Sequence, residues 1–378
     1  MTRHQRVIAD RSNMPPRPPS PPTRKPRPRG TPEDDATMQW LADAPARSEH
    51  AIEMIVGGSA PPTPDTDFQR ALQAAFDEGR VLHLHAPLTL DAPVAVKINY
   101  SNQGWFGFDG GMNKIHSNVE GQPALRFYMD ESVPQGTCAR GMMLKDFSII
   151  GGGKGGGLQC DIPFNDRWLG NLELRSLWFE GIAGKAGCTI AGSIFESFGY
   201  NVGTMDCEGA GMYFANVGPD GNKGIVSAWR LFGGTHRQNG GNGILMDQYD
   251  GPADVRMFGL YFCSNAKEGI STISGLELVD GCGFENNGNA GIYLQNFATL
   301  RNCSGSTYGV QAYLVDAYLV NPLQLHSCGV VGYGGGAPKL AKLQGDSVVT
   351  LSSSGDGSDC EVSGDGIQLQ IVQTAPAT

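Results

Sequence analysis

The chain is poor in charge, has no long apolar run and contains no paired cysteines, and each lack removes a class of protein. Only 17% of its 378 residues are Asp, Glu, Lys or Arg, against the ~25% usual in globular domains and the higher share of helix bundles and coiled coils. No stretch of eighteen apolar residues occurs, so a spanning helix and a membrane partner are not expected. Met1 to Arg29 holds no apolar segment of the secretory type. The nine cysteines begin at Cys138 and form no CxxC. Zinc ribbons and disulfide frameworks are therefore not expected, and buried free thiols are. No cofactor or metal is expected either. Oxygen ligands cluster at Asp247 and Asp250 and again over Gly355 to Asp359, but neither cluster matches an EF loop or a calcium-binding nonapeptide.

What is abundant is glycine, 54 residues, and the charge that exists is unevenly placed. Residues 1–32 carry eight Lys/Arg against Asp10 alone, a local +7, so the net charge of −10 leaves −17 on the rest. A body that acidic repels phosphate backbones, and no nucleic-acid partner is expected for it. Between Met14 and Pro32 nine of nineteen residues are proline. This arm is expected to be extended and coreless, with a PxxPxR match at Pro19 to Arg24 that is common in such composition. Short helices are predicted over Thr31–Asp43 and Ser48–Ile55, making 33–64 a helical anchor or linker. A third is predicted over Thr66–Glu78, where Phe68, Ala71, Leu72, Ala75 and Phe76 share one face before Gly79.

From Val81 onward short apolar runs alternate with Gly, Asn and Asp, and a repeat emerges. Phe262 to Ile270 and Phe284 to Ile292 share F-x-x-N-x-x-x-G-I; Asn239 to Ile244 repeats its second half, and Tyr308-Gly309-Val310 reads as a degenerate copy. Gly-Ile spacings of 26, 22 and 18 residues belong to a solenoid. Its strands are 3–5 residues long, β-branched or aromatic, and bounded by turn formers. Stacked asparagines at 239, 265 and 287 are expected to form a ladder, and Cys303 and Cys328 to stack inside. The fold class is all-β: a right-handed parallel β-helix over 65–335 with an N-terminal proline-rich arm and short capping helices, followed by a C-terminal β-rich segment over 336–378.

The segment Asp67 to Gly79, followed by Val81-Leu-His-Leu84 and Pro87 to Val96, resembles the N-terminal start of right-handed β-helix proteins of the pectate-lyase-like superfamily, which includes phage tailspikes and polysaccharide lyases, hydrolases and epimerases. The resemblance implies a helix capping the first coil and carbohydrate as ligand; it transfers no catalytic motif. The lack of an export segment, the free cysteines and the basic arm favour a virion tailspike, made in the host cytoplasm and carried on the tail. Such a protein would bind a bacterial surface polysaccharide, trimerise, and meet a tail or adaptor protein through the arm. A soluble polysaccharide lyase or epimerase and a non-catalytic virion fibre are the rival readings.

Whether the polymer is cleaved is left open by the residues. Hydrolysis needs two carboxylates ~5–9.5 Å apart, which neighbouring coils can supply from Glu180, Asp206, Glu208, Asp247, Asp250, Glu268 and Glu285. The groove is expected over Asp206 to Glu285. There Asp206 or Glu208 would be the general acid and Glu268 the base or nucleophile, with Arg237 orienting the sugar. His236 is the candidate base of a lyase, although its alignment with Phe262 and Phe284 favours an interior position. Trp168, Trp178 and Trp229 are candidates for sugar stacking, and Trp229, Arg237, Asp247 and Glu285 complete the expected binding set.

Overall fold

The computed structural model describes residues 64–99, 103–215, 224–247, 254–333, 337–354, 357–363 and 366–372. The proline-rich arm, the first two predicted helices and Asp250 lie outside these. Among the described residues the one helix, α1 (Pro64–Asp77), starts two residues earlier than predicted, with proline at a position whose N–H needs no partner. Phe68, Leu72 and Phe76 are buried; Phe68 meets Phe108 edge-on, and Phe76 meets Phe106 edge-on and stacks on Phe127, with ring centroids 5.2–5.5 Å apart. The Gln73 amide accepts from the Lys97 N–H at 2.7 Å and donates to the Lys97 carbonyl at 2.9 Å. The helix thus supplies hydrogen bonds where the first strand would present a bare edge. It ends at Gly79, whose φ of 66° lets the Arg80 N–H reach back to the Ala75 carbonyl.

Beyond α1 every pairing between strands is parallel, in one sheet of 21 strands and another of 11. A representative coil has a first strand Arg256–Phe258, a second Tyr261–Cys263 and a third Ile270–Thr272. First and second strands together make the larger sheet, and third strands the smaller. The smaller sheet's eleven rungs match the dozen coils expected. This is the right-handed parallel β-helix. After the first strand the chain bends at a left-handed residue, repeated over nine coils as Asp146, Ser176, Asn201, Gly233, Gly259, Gly281, Asn302, Ser327 and Ser353, all at φ 50–65°, with Gly234 left-handed as well beside Gly233. Gly, Asn and Asp fill this position at low cost; the coil geometry imposes it on the three serines.

The interior is a set of columns. Ile244, Ile270 and Ile292 are in register and fully buried, as are Met246, Thr272 and Leu294. Asn239 Nδ2 donates to Asn265 Oδ1 and Asn265 Nδ2 to Asn287 Oδ1, both at 2.8 Å. The same carboxamide oxygens also accept the backbone N–H one coil back. Cys282, Cys303 and Cys328 succeed one another just after the bend, unbridged and buried, and burial pushes the Cys282 thiol up to about 11.

Two sequence expectations are corrected. The coil after Ile292 continues at Val315, not Val310. Tyr308, Gly309 and Val310 belong to a longer turn, and the longer amide of Gln311 takes the ladder position, accepting from Asn287 Nδ2 at 3.2 Å. Nor is 336–378 a separate segment. Lys339–Gly345, Ser347–Ser352, Cys360–Ser363 and Ile367–Val372 continue both sheets in register. No described helix is long and apolar enough to cross a membrane.

Candidate functional site

Outward positions of the second strands form two columns. One runs Trp178, Gly203, Thr235, Tyr261, Gly283, and the other Glu180, Met205, Arg237, Cys263, Glu285. Each aromatic in the first column is followed along the stack by a glycine or a small residue, and this lets its ring lie on the sheet. A Cβ on Gly203 would stand 2.3 Å from Trp178 Cζ3, and one on Gly283 2.9 Å from Tyr261 Cδ2. The indole therefore covers Gly203 and the phenol covers Gly283, with Trp178 left half-buried and Tyr261 39% exposed. Each ring is also tied to a carboxylate of the second column. Trp178 Nε1 donates to Glu180 Oε2 at 3.2 Å, and the Tyr261 hydroxyl donates to Glu285. Burial and that carboxylate both push the Tyr261 hydroxyl well above its ordinary value, so it stays a donor.

Trp178 and Tyr261 are three rungs apart, ~14 Å at the usual strand spacing. Arg237 lies between them, exposed, its guanidinium carbon 5.9 Å from the Trp178 ring centre. The face thus presents two flat aromatic platforms, two anchored carboxylates and one cation along the solenoid axis. That is what a sugar chain requires: ring faces for its C–H surfaces and planar polar groups for its hydroxyls.

Of the sequence candidates, Arg237 and Glu285 fall on this face, as do Glu180 and Trp178. Asp206, Glu208 and Glu268 do not. They occupy the turn from second to third strands, where Asp206 is the exposed left-handed residue at φ 54°. Glu208 Oε2 accepts from the Gly184 N–H and Glu268 Oε2 from Asn242 Nδ2, each at 2.7 Å. Both carboxylates thereby tie one coil to the previous one. The turn itself spans only residues 206–209 between strands, no longer than its neighbours, because Gly203–Met205 and Ala210–Gly211 are strand. Asp206 and Glu268 lie on turns two rungs apart, the first directly after its strand and the second five residues after its own. Asp247 closes the strand Ile244–Asp247 of the third face, away from Arg237.

Burial removes two expected residues from any surface site. Trp229 and His236 are both 0% exposed. Trp229 packs edge-on against Phe214 at 5.3 Å. His236 stacks on Phe262 at 5.4 Å, which itself stacks on Phe284 at 5.0 Å. Its Nδ1 meets Thr204 Oγ1 at 3.0 Å, and burial drives its pKa down to about 3. It is a neutral core residue. Tyr261 is the residue the sequence reading missed. Its signal was present, since the position before Phe262 and Phe284 alternates Tyr261 with Gly283, a bulky side chain with a bare one.

The first face carries a different arrangement. Tyr200, Phe232 and Phe258 stack on one another at 5.2 and 4.9 Å, within 10° of parallel, so they turn edges to solvent and stabilise the stack. Beside them Arg256 Nε bonds Glu277 Oε2 at 2.7 Å and holds the Glu277 carboxyl down, while the hydrogen bond with Glu277 raises Asp254.

The parallel β-helix defines the class of protein. No protein-family model matches the chain, and no curated protein sequence does. Among solved structures it is similar to the enzymatically active domain of bacteriophage CBA120 tailspike protein 2, at TM-score 0.55 and 14% identity over 82% of this chain and 50% of that one. It is also similar to the ORF18 protein of Geobacillus virus E2, at TM-score 0.56 and 13% identity over 84% and 64%. The chain therefore spans about half to two thirds of the length of these structures.

Proposed function

We propose that the chain is the β-helix of a virion tailspike-like protein that binds a bacterial surface polysaccharide along the second face, between Trp178 and Tyr261. The observation that carries this reading is the pair of aromatic rings laid flat over Gly203 and Gly283, each tied to a carboxylate. The fold shared with phage tailspike structures supports the virion setting, with the arm over residues 1–32 as the attachment to the tail or an adaptor. The reading includes a homotrimer, with Leu369 and Ile371, 37% and 40% exposed, in the contact between chains. Retention on immobilised host capsule or O-polysaccharide tests the binding. Trp178→Ala and Tyr261→Ala should each weaken it at least tenfold, ~1.4 kcal/mol or more. Unchanged retention in both variants would place the ligand elsewhere. Light scattering at the mass of one chain would count against the trimer.

Cleavage has its own supporting observation. On adjacent coils of the first face the neighbouring Glu277 raises Asp254, while the hydrogen bond from Arg256 holds Glu277 down, and carboxylates whose affinities are pushed apart can divide the acid and base roles. If the pair is catalytic, Asp254→Asn and Glu277→Gln should each lower turnover ~10²-fold or more while binding on the second face persists. Unchanged turnover in both would leave the pair a surface link.

A further inference from the structure

The charge pattern of the second face selects among polysaccharides. Outside the arm the chain carries −17, and a uniformly anionic polymer would be repelled along its length. Yet Arg237 stands exposed between the two platforms and enters none of the ion pairs among the described residues. Its column neighbours, Met205 and Cys263, bring neither a carboxylate nor a second cation to the column. The next members of the column are Glu180 on one side and Glu285 on the other, their backbones each two rungs away, ~10 Å, with the guanidinium leaning towards Trp178 on the Glu180 side. Asp206, exposed in the adjoining turn, adds a further negative charge on the rung beside Arg237.

Along the axis the face therefore reads acid, base, acid. The two carboxylates are not free to swing away, because each accepts a hydrogen bond from its aromatic partner. An anchored carboxylate accepts a sugar hydroxyl well and repels a second anion, and ~10 Å is about one Debye length at 0.1 M salt, so the repulsion is not screened out. The guanidinium does the opposite. It is best satisfied by a planar or tetrahedral oxyanion, to which it offers paired N–H donors. One rung advances the site by about the length of one pyranose in a chain. The three side chains thus spring from rungs two apart, with the cation between the two acids.

We infer that the second face takes a heteropolysaccharide with one anionic substituent, a carboxylate or a phosphate, placed at Arg237 and flanked on both sides by neutral sugars. It discriminates against polymers charged on every residue or every second residue, and against wholly neutral ones. The inference rests on the second face being the binding site.

The test is a panel of purified bacterial capsular and O-polysaccharides of known repeat structure, with polygalacturonate, hyaluronan, deacylated gellan and dextran, measured by retention and titration calorimetry on the full chain. The members retained should carry one anionic group per repeat of three or more sugars. Carboxyl reduction, or dephosphorylation with hydrogen fluoride for phosphate-bearing members, should weaken binding at least about tenfold. The two treatments separate the two sources of charge. Arg237→Gln should lose the same factor on the native polymer and nothing on the neutralised one, with Arg237→Lys recovering part of it. The double variant Glu180→Gln/Glu285→Gln should gain affinity for hyaluronan and polygalacturonate relative to wild type. Retention of a neutral or fully charged polymer with Arg237→Gln equal to wild type would overturn the charge assignment alone. If the anionic members bind but Trp178→Ala and Tyr261→Ala bind equally well, or if no member of the panel is retained, the reading of the second face falls, and this inference with it.

Discussion

A histidine in a column of phenylalanines shows how one residue's chemistry is set by its neighbours in the stack. His236 takes the place that Phe262 and Phe284 take one and two coils later, and its Nε2 finds no partner in the core. The unfolded chain protonates this residue near its ordinary value of 6.5, whereas the folded one resists to about 3. Between those values the unfolded state binds more protons, so stability contributed above pH 6.5 is lost as the pH falls, by at most ~1.4 kcal/mol per pH unit. His236→Phe should extend the ring stack and flatten the urea midpoint between pH 6.5 and 4 relative to wild type; an unchanged slope would mean the imidazole is not the titrating group. Gly203 makes the complementary case. Its φ is not left-handed, so alanine suits the backbone, but the new methyl would stand where the Trp178 ring lies. Gly203→Ala should lower polysaccharide affinity nearly as much as Trp178→Ala, while the melting temperature moves by only a few degrees.

At the scale of the element, the turn between second and third strands is held by amides that each serve two coils. Asn265 accepts from the N–H and Nδ2 of Asn239 and donates to Asn287 Oδ1 and to the His236 carbonyl. Alanine there removes four hydrogen bonds and takes the acceptor from the buried Asn239 N–H, while Asn287 Oδ1 keeps the backbone N–H of residue 265 and Asn239 Nδ2 keeps Thr204. With net values near 1 kcal/mol per bond and a further cost for each unsatisfied group, Asn265→Ala should destabilise by ~3 kcal/mol in urea unfolding. Aspartate should do no better, because it cannot donate to Asn287. A loss below ~1 kcal/mol for both would show that the ladder is decoration on coils held by their hydrophobic columns. The ladder was legible because Asn at 239, 265 and 287 precedes Gly by a constant four residues. Its last member was not, because Gln311 departs from both residue type and spacing, and only the strand register identifies it.

On the scale of the whole molecule, stability is a sum over coils and their nearest neighbours, with the ends as the weak points. The N-terminal end is closed by α1, whose three buried aliphatic and aromatic side chains cover the first coils and whose Gln73 satisfies the first strand of the third face. The described residues belong to one compact unit that begins at Gly58. A chain starting at Gly58 should therefore keep the circular-dichroism spectrum and the polysaccharide binding of the full chain, within ~1 kcal/mol in stability, while incorporation into the particle is lost. Collapse of the shortened chain into aggregates would show that the cap needs residues ahead of it.

The sequence by itself determined the solenoid, its period, the inward columns and the cap. These follow from local rules: alternation along a strand, positive φ at the bends, amphipathic spacing on α1. It also aligned Arg237 with Cys263 and Glu285. Only the tertiary structure decided which of the acids share a face, because carboxylates 20 to 30 residues apart meet or miss according to turn length and register. Glu208 and Glu268 proved to be ties between coils, and Trp229 and His236 core residues. The flat lie of the Trp178 and Tyr261 rings depends on glycines one coil further on, a relation between residues that only stacking creates.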